Sequence, residues 1–298
     1  MKPQTLPLAS ESPVMVPAGA TPRLGALLVQ AGCLSASDAE RIHGHQMASG
    51  QLFGEAGIEL GLLQADDVRQ ALCAQYGHVC LKADCGLSGE LMAVWQPQAR
   101  PVEHLRGLRS QLMLRWFEND ARHAALTLVS PGRGEGRSYI TANLAALFAQ
   151  LGKRTLVIDA DMRHPRQHRL FGVGGRTGLA GVLAGRVGTE AIVGIDAIPG
   201  LSVLPSGVPP PNPQELIARS GLPRLLSALR SSFEVILVDT PAFSECADGA
   251  TVAARAGAAL LVTCRDSTSM PGLTALSQSL HEFGVTVVGA VFNAPDRA

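Results

Sequence analysis

A chain of 298 residues, 46% hydrophobic and 17% charged, has the length for two domains and enough apolar matter for a sizeable core. Lys plus Arg and Asp plus Glu balance at 25 each, so there is no basic excess from which to build a nucleic-acid footprint. No stretch reaches the roughly 18 to 20 uninterrupted apolar residues of a membrane-spanning helix, and abundant glycine (32 residues) with few aromatics (4%) suits an α/β protein of many tight turns.

Residues 1–19 hold one Lys and an apolar minority broken by prolines. They lack the continuous apolar middle of a signal peptide and read as a disordered tail, so a cytoplasmic location is expected. The six cysteines, at 33, 73, 80, 85, 246 and 264, show no zinc-like spacing and are expected as reduced thiols. His43, His45, His164 and His168 fall in two separate regions without an acidic cage and read as surface or helix residues.

The next segment contains a duplication. Residues 23–46 superpose on 52–75 at an offset of 29, with identical Gly25/Gly54, Gly32/Gly61, Leu34/Leu63, Ala36/Ala65, Asp38/Asp67 and Gln46/Gln75. Each copy has the form of a short helix, a glycine stop and a polar N-cap leading into a second helix. A fixed repeat implies supersecondary units that share one core, here a small helical module over residues 20–86. Periodicity then weakens, and glycines and Pro97 mark 87–100 as a linker. A helix is predicted after Pro101, with apolar positions 102, 105, 108, 112 and 116 on one side.

From there strands and helices alternate. The short apolar runs 125–130, 154–161, 201–207, 233–241, 257–264 and 285–293 are predicted strands, and 138–152 is a predicted helix ending at Gly152. Fully apolar strands separated by helices define the expected fold class: α/β, a mostly parallel sheet covered on both faces, preceded by the smaller helical module.

The first strand runs directly into Ser130-Pro131-Gly132-Arg133-Gly134-Glu135-Gly136-Arg137-Ser138 and then a helix, the setting a P-loop requires. Such glycines let backbone N–H groups converge on an anion, and the helix N-terminus adds its positive end. Ser138 is the candidate hydroxyl ligand of magnesium. Pro131 stands where the usual pattern has its first glycine, and Arg137 where it has lysine; a planar fork is not equivalent to a compact ammonium. The second strand ends in Asp159 and Asp161 and the fourth in Asp239. Ligands of open α/β sheets sit beyond the carboxyl ends of strands, so all three acids can face the loop. Asp239 fits a magnesium-associated carboxylate, and Asp159 and Asp161 an arm that orients or deprotonates an attacking hydroxyl.

Together these residues resemble the bacterial tyrosine kinases of polysaccharide export (BY-kinases, the CpsD/CapB family), over roughly residues 101–293. That family pairs a P-loop with a D-x-D-x-R motif and a Walker B aspartate, read here as RGEGRS, DADMR and ILVDTP. An E-x-x-R-x-x-R helix that mediates ring assembly is matched by Glu103, Arg106 and Arg109, and PPNPQEL (210–216) is similar to another family segment. The P-loop arginine most resembles the stand-alone exopolysaccharide chain-length determinant kinases of EpsG type. The resemblance implies ATP and Mg2+ as cofactors and phosphoryl transfer to tyrosine, with Asp159, Asp161 and Arg137 catalytic and Ser138, Asp161 and Asp239 at the metal. It also implies nucleotide contacts from Gly132, Arg133, Gly134, Glu135, Gly136, Arg137, Ser138, Tyr139 and Asn293. A homo-oligomeric ring and a membrane-embedded chain-length determinant protein, acting as activator and holding the kinase at the inner face of the membrane, are the partners it implies. One feature departs from the family: the chain has two tyrosines, Tyr76 and Tyr139, and no C-terminal cluster, so the acceptor is expected on another protein. The alternative is an ATP-dependent assembly switch without kinase activity. A partition-type ATPase is disfavoured because Gly132 stands where those proteins carry a signature lysine.

The duplication is similar to the MshEN-like domain of secretion ATPases, some of which bind cyclic di-GMP. Arg23, Leu24, Gly25, Gly32 and Gln46 match its first motif, and Gly54, Gly61, Val68, Leu72 and Gln75 its second. Ala39, His43 and Gly57 replace expected leucines, and the second copy lacks the leading arginine. The resemblance implies a related fold, with cyclic di-GMP as a candidate ligand or, alternatively, a docking module whose ligand site has decayed.

Overall fold

The computed structural model describes residues 23–65, 67–68, 71–72, 85–119, 124–219 and 221–294. These fall into two units that divide between His78 and Val79.

The smaller unit contains α1 (Leu24–Gln30), α2 (Ala36–Ser49) and α3 (Phe53–Glu59), packed around Leu28, Leu34, Ile42, Ala56, Leu63 and Ala71. The duplication is legible in the backbone. Gly32 (φ 74°) and Gly61 (φ 67°) follow the first helix of each copy in the left-handed region, where a Cβ is strained. Around them Gly32 N–H donates to Val29 O and Cys33 N–H to Leu28 O; Gly61 N–H donates to Ile58 O and Leu62 N–H to Gly57 O. Both stops are therefore Schellman motifs, which satisfy the last carbonyls of each helix. Each is followed by an N-cap built on the repeated aspartate. Asp38 N–H donates to Ser35 Oγ (3.1 Å), and Gln64 N–H donates to Asp67 Oδ2 (2.9 Å).

The larger unit is a seven-stranded sheet. Its strands are β1 (Ala125–Val129), β2 (Thr155–Asp159), β3 (Val193–Gly194), β4 (Leu201–Leu204), β5 (Val235–Asp239), β6 (Ala258–Cys264) and β7 (Thr286–Asn293), in the order β3-β4-β2-β5-β1-β6-β7. All pairings are parallel except β3–β4. The six strands expected from apolar runs are present, and the expected mostly parallel sheet with them. The two-residue antiparallel edge β3 is the addition, too short to leave a hydrophobic signature.

Side chains of a strand alternate between faces. Leu126 and Leu128 enter one layer with α4 (Met92–Trp95), α5 (Arg100–Leu112) and α6 (Arg137–Gln150); Ala125, Ile236 and Val238 enter the opposite layer. That second layer is closed by α8 (Leu179–Leu183), α9 (Pro213–Ala218), α10 (Gly221–Leu229) and α11 (Asp248–Ala256), while α12 (Met270–Glu282) covers β6. Between α6 and α8 lies the short α7 (Gln167–Leu170). Helix α6 is buried almost all round, from Ile140 to Ala149, because it lies between the sheet and α4–α5. A helix so enclosed shows no amphipathic stripe.

The stretch 87–100, read from its broken periodicity as a linker, differs in the structure. Leu91 and Ala93 are fully buried, and Val94 nearly so, in the same core as α6. Asn143, buried on α6, holds this segment: its Oδ1 accepts from Ala93 N–H (2.9 Å), and its Nδ2 donates to Glu90 O (3.0 Å) and Tyr139 O (2.9 Å). Short apolar runs clipped on by one buried amide carry no helical period, so the sequence pattern is silent about them. Asn143→Ala would leave the buried Ala93 N–H and the partly buried Glu90 carbonyl without partners. It should destabilise the chain by about 2 to 4 kcal/mol, read as the shift in a urea unfolding midpoint at unchanged slope.

Candidate active site

Strands β2, β5 and β1 are neighbours, so the loops leaving their carboxyl ends lie side by side. The register puts Asp159 opposite Asp239 and Asp239 opposite Leu128. The P-loop leaves β1 at Ser130 and enters α6 at Arg137. Its Gly136 has φ 99°, and a Cβ there would come within 2.4 Å of Asn293 Nδ2. Only glycine suits both conditions.

The loop is braced from below. Glu135 is 1% exposed; its carboxylate accepts from Gly132 N–H (2.9 Å) and from the Thr268 hydroxyl (2.5 Å). Asn293 Nδ2 donates to Glu135 O (3.1 Å). Glu135 and Asn293, both expected as nucleotide contacts, thus spend polar groups on the shape of the loop. Arg137 is buried as well. Its Nε donates to Thr240 O (2.8 Å), and its Nη1 to Gly132 O (2.8 Å) and the Ser130 hydroxyl. The guanidinium therefore joins the ends of β1 and β5 as well as carrying the charge of the loop; Nη2 carries none of these bonds.

The three acids differ in what they have already accepted. Asp159 is fully buried and takes N–H groups from Asp161 (3.2 Å), Arg166 (3.0 Å) and Gln167 (2.9 Å). Asp161 accepts from Arg163 N–H (3.1 Å) and His164 N–H (2.8 Å) through one oxygen only, Oδ1. Asp239, fully buried, accepts from Gln167 Nε2 at Oδ2 (2.7 Å), while its Oδ1 has no hydrogen-bond partner. Burial raises the Asp159 carboxyl well above the ordinary aspartate range; the Asp239 charge adds to this, and the Arg166 and Gln167 amides oppose it. Burial also raises Asp239, against the pull of Gln167, Ser138 and Arg137. A buried, unpartnered carboxylate oxygen beside a serine hydroxyl is a fitting place for a hard cation. Among the described residues no three His, Cys, Asp or Glu side chains converge as a complete metal cage.

Above the acids opens a cavity of about 740 Å³, lined on one side by Arg133 to Ser138 and on the other by Asp161, Arg163 to Arg166, His168 and Arg169. The size suits a nucleotide, and the lining is strongly cationic. Tyr139, expected at the nucleotide, does not line it. The Tyr139 hydroxyl instead points to Met92 Sδ (3.1 Å), and burial raises its pKa, with Glu90 adding to the effect. In α5, Glu103 and Arg106 pair within the helix (2.9 Å), and Arg109 Nη1 donates to Leu147 O at the end of α6 (3.1 Å). In the smaller unit Gly25 lies against the Phe53 ring, and a Cβ on Gly54 would meet Val68 at 2.6 Å. Packing and the two Schellman stops account for the repeated Gly25/Gly54 and Gly32/Gly61. Arg23 is exposed and Gln46 partly buried there, while Gln75 lies outside the described residues.

Gln167 is a functional residue that no sequence pattern marks. It binds Asp159 through its backbone and Asp239 through its side chain, and it also donates to Ser138 O (3.2 Å). Its place four residues beyond the acidic motif resembles no motif, so only the fold reveals it.

A glycine-rich loop between a central strand and a buried helix, with acids on the two adjoining strand ends, defines a P-loop nucleotide-binding protein. The CobQ/CobB/MinD/ParA nucleotide binding domain family matches residues 126–298. The putative tyrosine-protein kinase CapB of Staphylococcus aureus is 31% identical over 198 residues, covering 66% of this chain and 86% of that protein. The putative tyrosine-protein kinase EpsB of Ralstonia solanacearum is 39% identical over 206 residues, 69% of this chain. This chain spans only 27% of the length of that EpsB. The solved kinase domain of Escherichia coli tyrosine kinase ETK superposes with a TM-score of 0.65 at 29% identity, covering 70% of this chain and 82% of that domain. The chain belongs to the CobQ/CobB/MinD/ParA nucleotide-binding family, among the bacterial tyrosine-protein kinases. The family match begins at residue 126 and lends no support to cyclic di-GMP at residues 20–86.

Because both buried carboxyls titrate above the unfolded aspartate value of 3.8, the folded metal-free chain holds their protons more tightly than the unfolded chain. The stability this contributes is present at low pH and is lost as pH rises through the raised values. Without divalent metal, Asp239→Asn should therefore melt higher than the parent near pH 8, and the gain should shrink near pH 5. A differential scanning calorimetry series in a chelator checks this.

Proposed function

We propose that this chain is an ATP- and magnesium-dependent protein-tyrosine kinase that acts on exopolysaccharide assembly. The observation that carries the reading is the unpartnered Oδ1 of buried Asp239 beside Ser138, at the mouth of the P-loop and on a strand, β5, whose other neighbour β2 leads into two more acids. Relatives named as tyrosine-protein kinases support the chemistry.

In this reading Ser138 and Asp239 hold magnesium, which offsets the negative charge of the phosphates when bound. The free N–H groups of the loop and the α6 N-terminus receive the phosphate oxygens. Nη2 of Arg137, with Arg133 and Arg169 on the cavity wall, adds positive charge where negative charge grows in the transition state. Hydrogen-bond accounting separates the two acids of the second arm. Asp159 has accepted three N–H groups and is sealed, so it holds the arm in place. Asp161 keeps Oδ2 out of those bonds and lines the cavity, so it orients the acceptor hydroxyl and receives its proton. Tyr139 is turned away from the cavity and Tyr76 lies outside the described residues, so the reading places the acceptor tyrosine on a partner protein. A homo-oligomer built on α5 and an activating membrane protein complete the proposal.

Incubation of the purified chain with ATP, Mg2+ and a tyrosine polymer should yield phosphotyrosine. Asp161→Ala should lower kcat by about 10² to 10⁴ while leaving the affinity for ADP nearly unchanged, whereas Asp239→Ala should lose the magnesium dependence of nucleotide binding. Tight nucleotide binding with no phosphotyrosine on any acceptor, membrane partner included, would overturn the kinase reading and leave an ATP-dependent assembly switch.

A further inference from the structure

Segment 86–95 does more than fill the core. Its backbone is anchored to the two arms of the phosphate site at several points. Ser88 N–H donates to the O of Leu170 (3.0 Å), the last residue of α7. Asn143 of α6 holds Glu90 O and Ala93 N–H, and Gln150 Nε2 donates to Ala93 O (3.1 Å). Trp95 Nε1 donates to Ser88 O (2.9 Å), closing the segment on itself. A carboxylate on such a base is presented from a rigid mount.

That carboxylate is Glu90, and it meets one guanidinium. Arg166 Nη2 donates to both oxygens of Glu90, each at 2.7 Å. Arg166 stands at the far end of the acidic arm and lines the cavity. Its own N–H, with that of Gln167, supports Asp159, and Gln167 supports Asp239. The inner end of the arm is thus tied to the buried acids, and its outer end is tied to Glu90. On another side Arg163 pairs with Asp248 (3.0 Å), and His164 Nδ1 lies 3.5 Å from Glu245 Oε2.

We propose that Glu90 is a positioning residue for the phosphate site, acting through Arg166 to hold the arm that carries Asp161 against the P-loop. The proposal rests on the nucleotide-binding reading of the cavity. Both partners of the ion pair are about half exposed, so solvent screening makes the effect moderate, and a loss of about three- to tenfold is expected.

The test is a double-mutant cycle on the full chain with Glu90→Gln, Arg166→Gln and both together. The first readout is affinity for a fluorescent ADP analogue with Mg2+. The second is amide hydrogen exchange of residues 163–167 without nucleotide. Glu90→Gln should weaken Mg2+–ADP binding three- to tenfold by the same reasoning and speed exchange of the Arg166 and Gln167 amides, with the melting temperature within about two degrees of the parent. In the Arg166→Gln background, Glu90→Gln should add nothing. Additive effects, or exchange of the arm unchanged by Glu90→Gln, would overturn the proposal. Failure of the parent chain to bind the analogue would overturn the nucleotide reading, and the exchange measurement would still decide the role of Glu90.

Discussion

Two aspartates at the ends of adjacent parallel strands, opposite each other in register and sealed from solvent, set the terms for this structure. Two such carboxylates repel each other and lose their hydration, so each needs compensation close at hand. Asp159 obtains it from three backbone N–H groups, and collecting them obliges the chain after β2 to fold back as a tight arm. Asp239 obtains half of it, from Gln167, and keeps one oxygen unmatched. That imbalance is the site's main electrostatic feature. A cation there would relieve an existing strain rather than impose a new order.

The P-loop shows the complementary economy. A loop of converging N–H groups is anion-seeking, but left alone it is soft. Here its shape is held by Glu135, which reaches back to Gly132 and out to Thr268, and by Asn293 at the end of β7. The cradle is therefore held from the turn after β6 and the end of β7 on one side and from the Arg137 guanidinium on the other. Catalytic sites built on electrostatic stabilisation need donors that do not reorganise during reaction, and this bracing supplies that rigidity.

Much of the fold was legible because parallel strands buried on both faces read as nearly continuous apolar runs, as β1, β2, β4, β5 and β6 do, while β7 lies at the sheet edge and is largely exposed. The loop and its acids were legible too, since glycine spacing after a strand and aspartates ending two strands have few other uses. What stayed hidden was what depends on tertiary closure. Leu91 and Ala93 lie in a stretch with no period, so a core segment read as linker. Glu135 and Tyr139 sit in a nucleotide-binding motif, yet one is spent on the loop's own geometry and the other on Met92. Gln167 follows the acidic motif at no recognised spacing, and its value comes only from the adjacency of β2 and β5. In the smaller unit, the 29-residue repeat read as two helical units, and the glycines that mark it are explained by Schellman stops and close packing.

The arginine in the loop can now be weighed on geometry. A lysine ammonium is a single point and can swing between loop carbonyls and phosphate. Arg137 is a fork, and two of its nitrogens are already committed: Nε to Thr240 O beyond β5, Nη1 to Gly132 O and Ser130. Turning the whole group towards a phosphate would break the link between the ends of β1 and β5. The fork can instead stay where it is and offer Nη2, so that structural and electrostatic roles act together rather than in turn. The cost is reach, because a pinned guanidinium cannot follow a phosphoryl group as it moves. The cationic far wall, with Arg169 and the Glu90-tethered Arg166, lies where that missing reach would be needed. A P-loop with a fixed arginine therefore makes the position of the opposite arm matter more than it would with a mobile lysine.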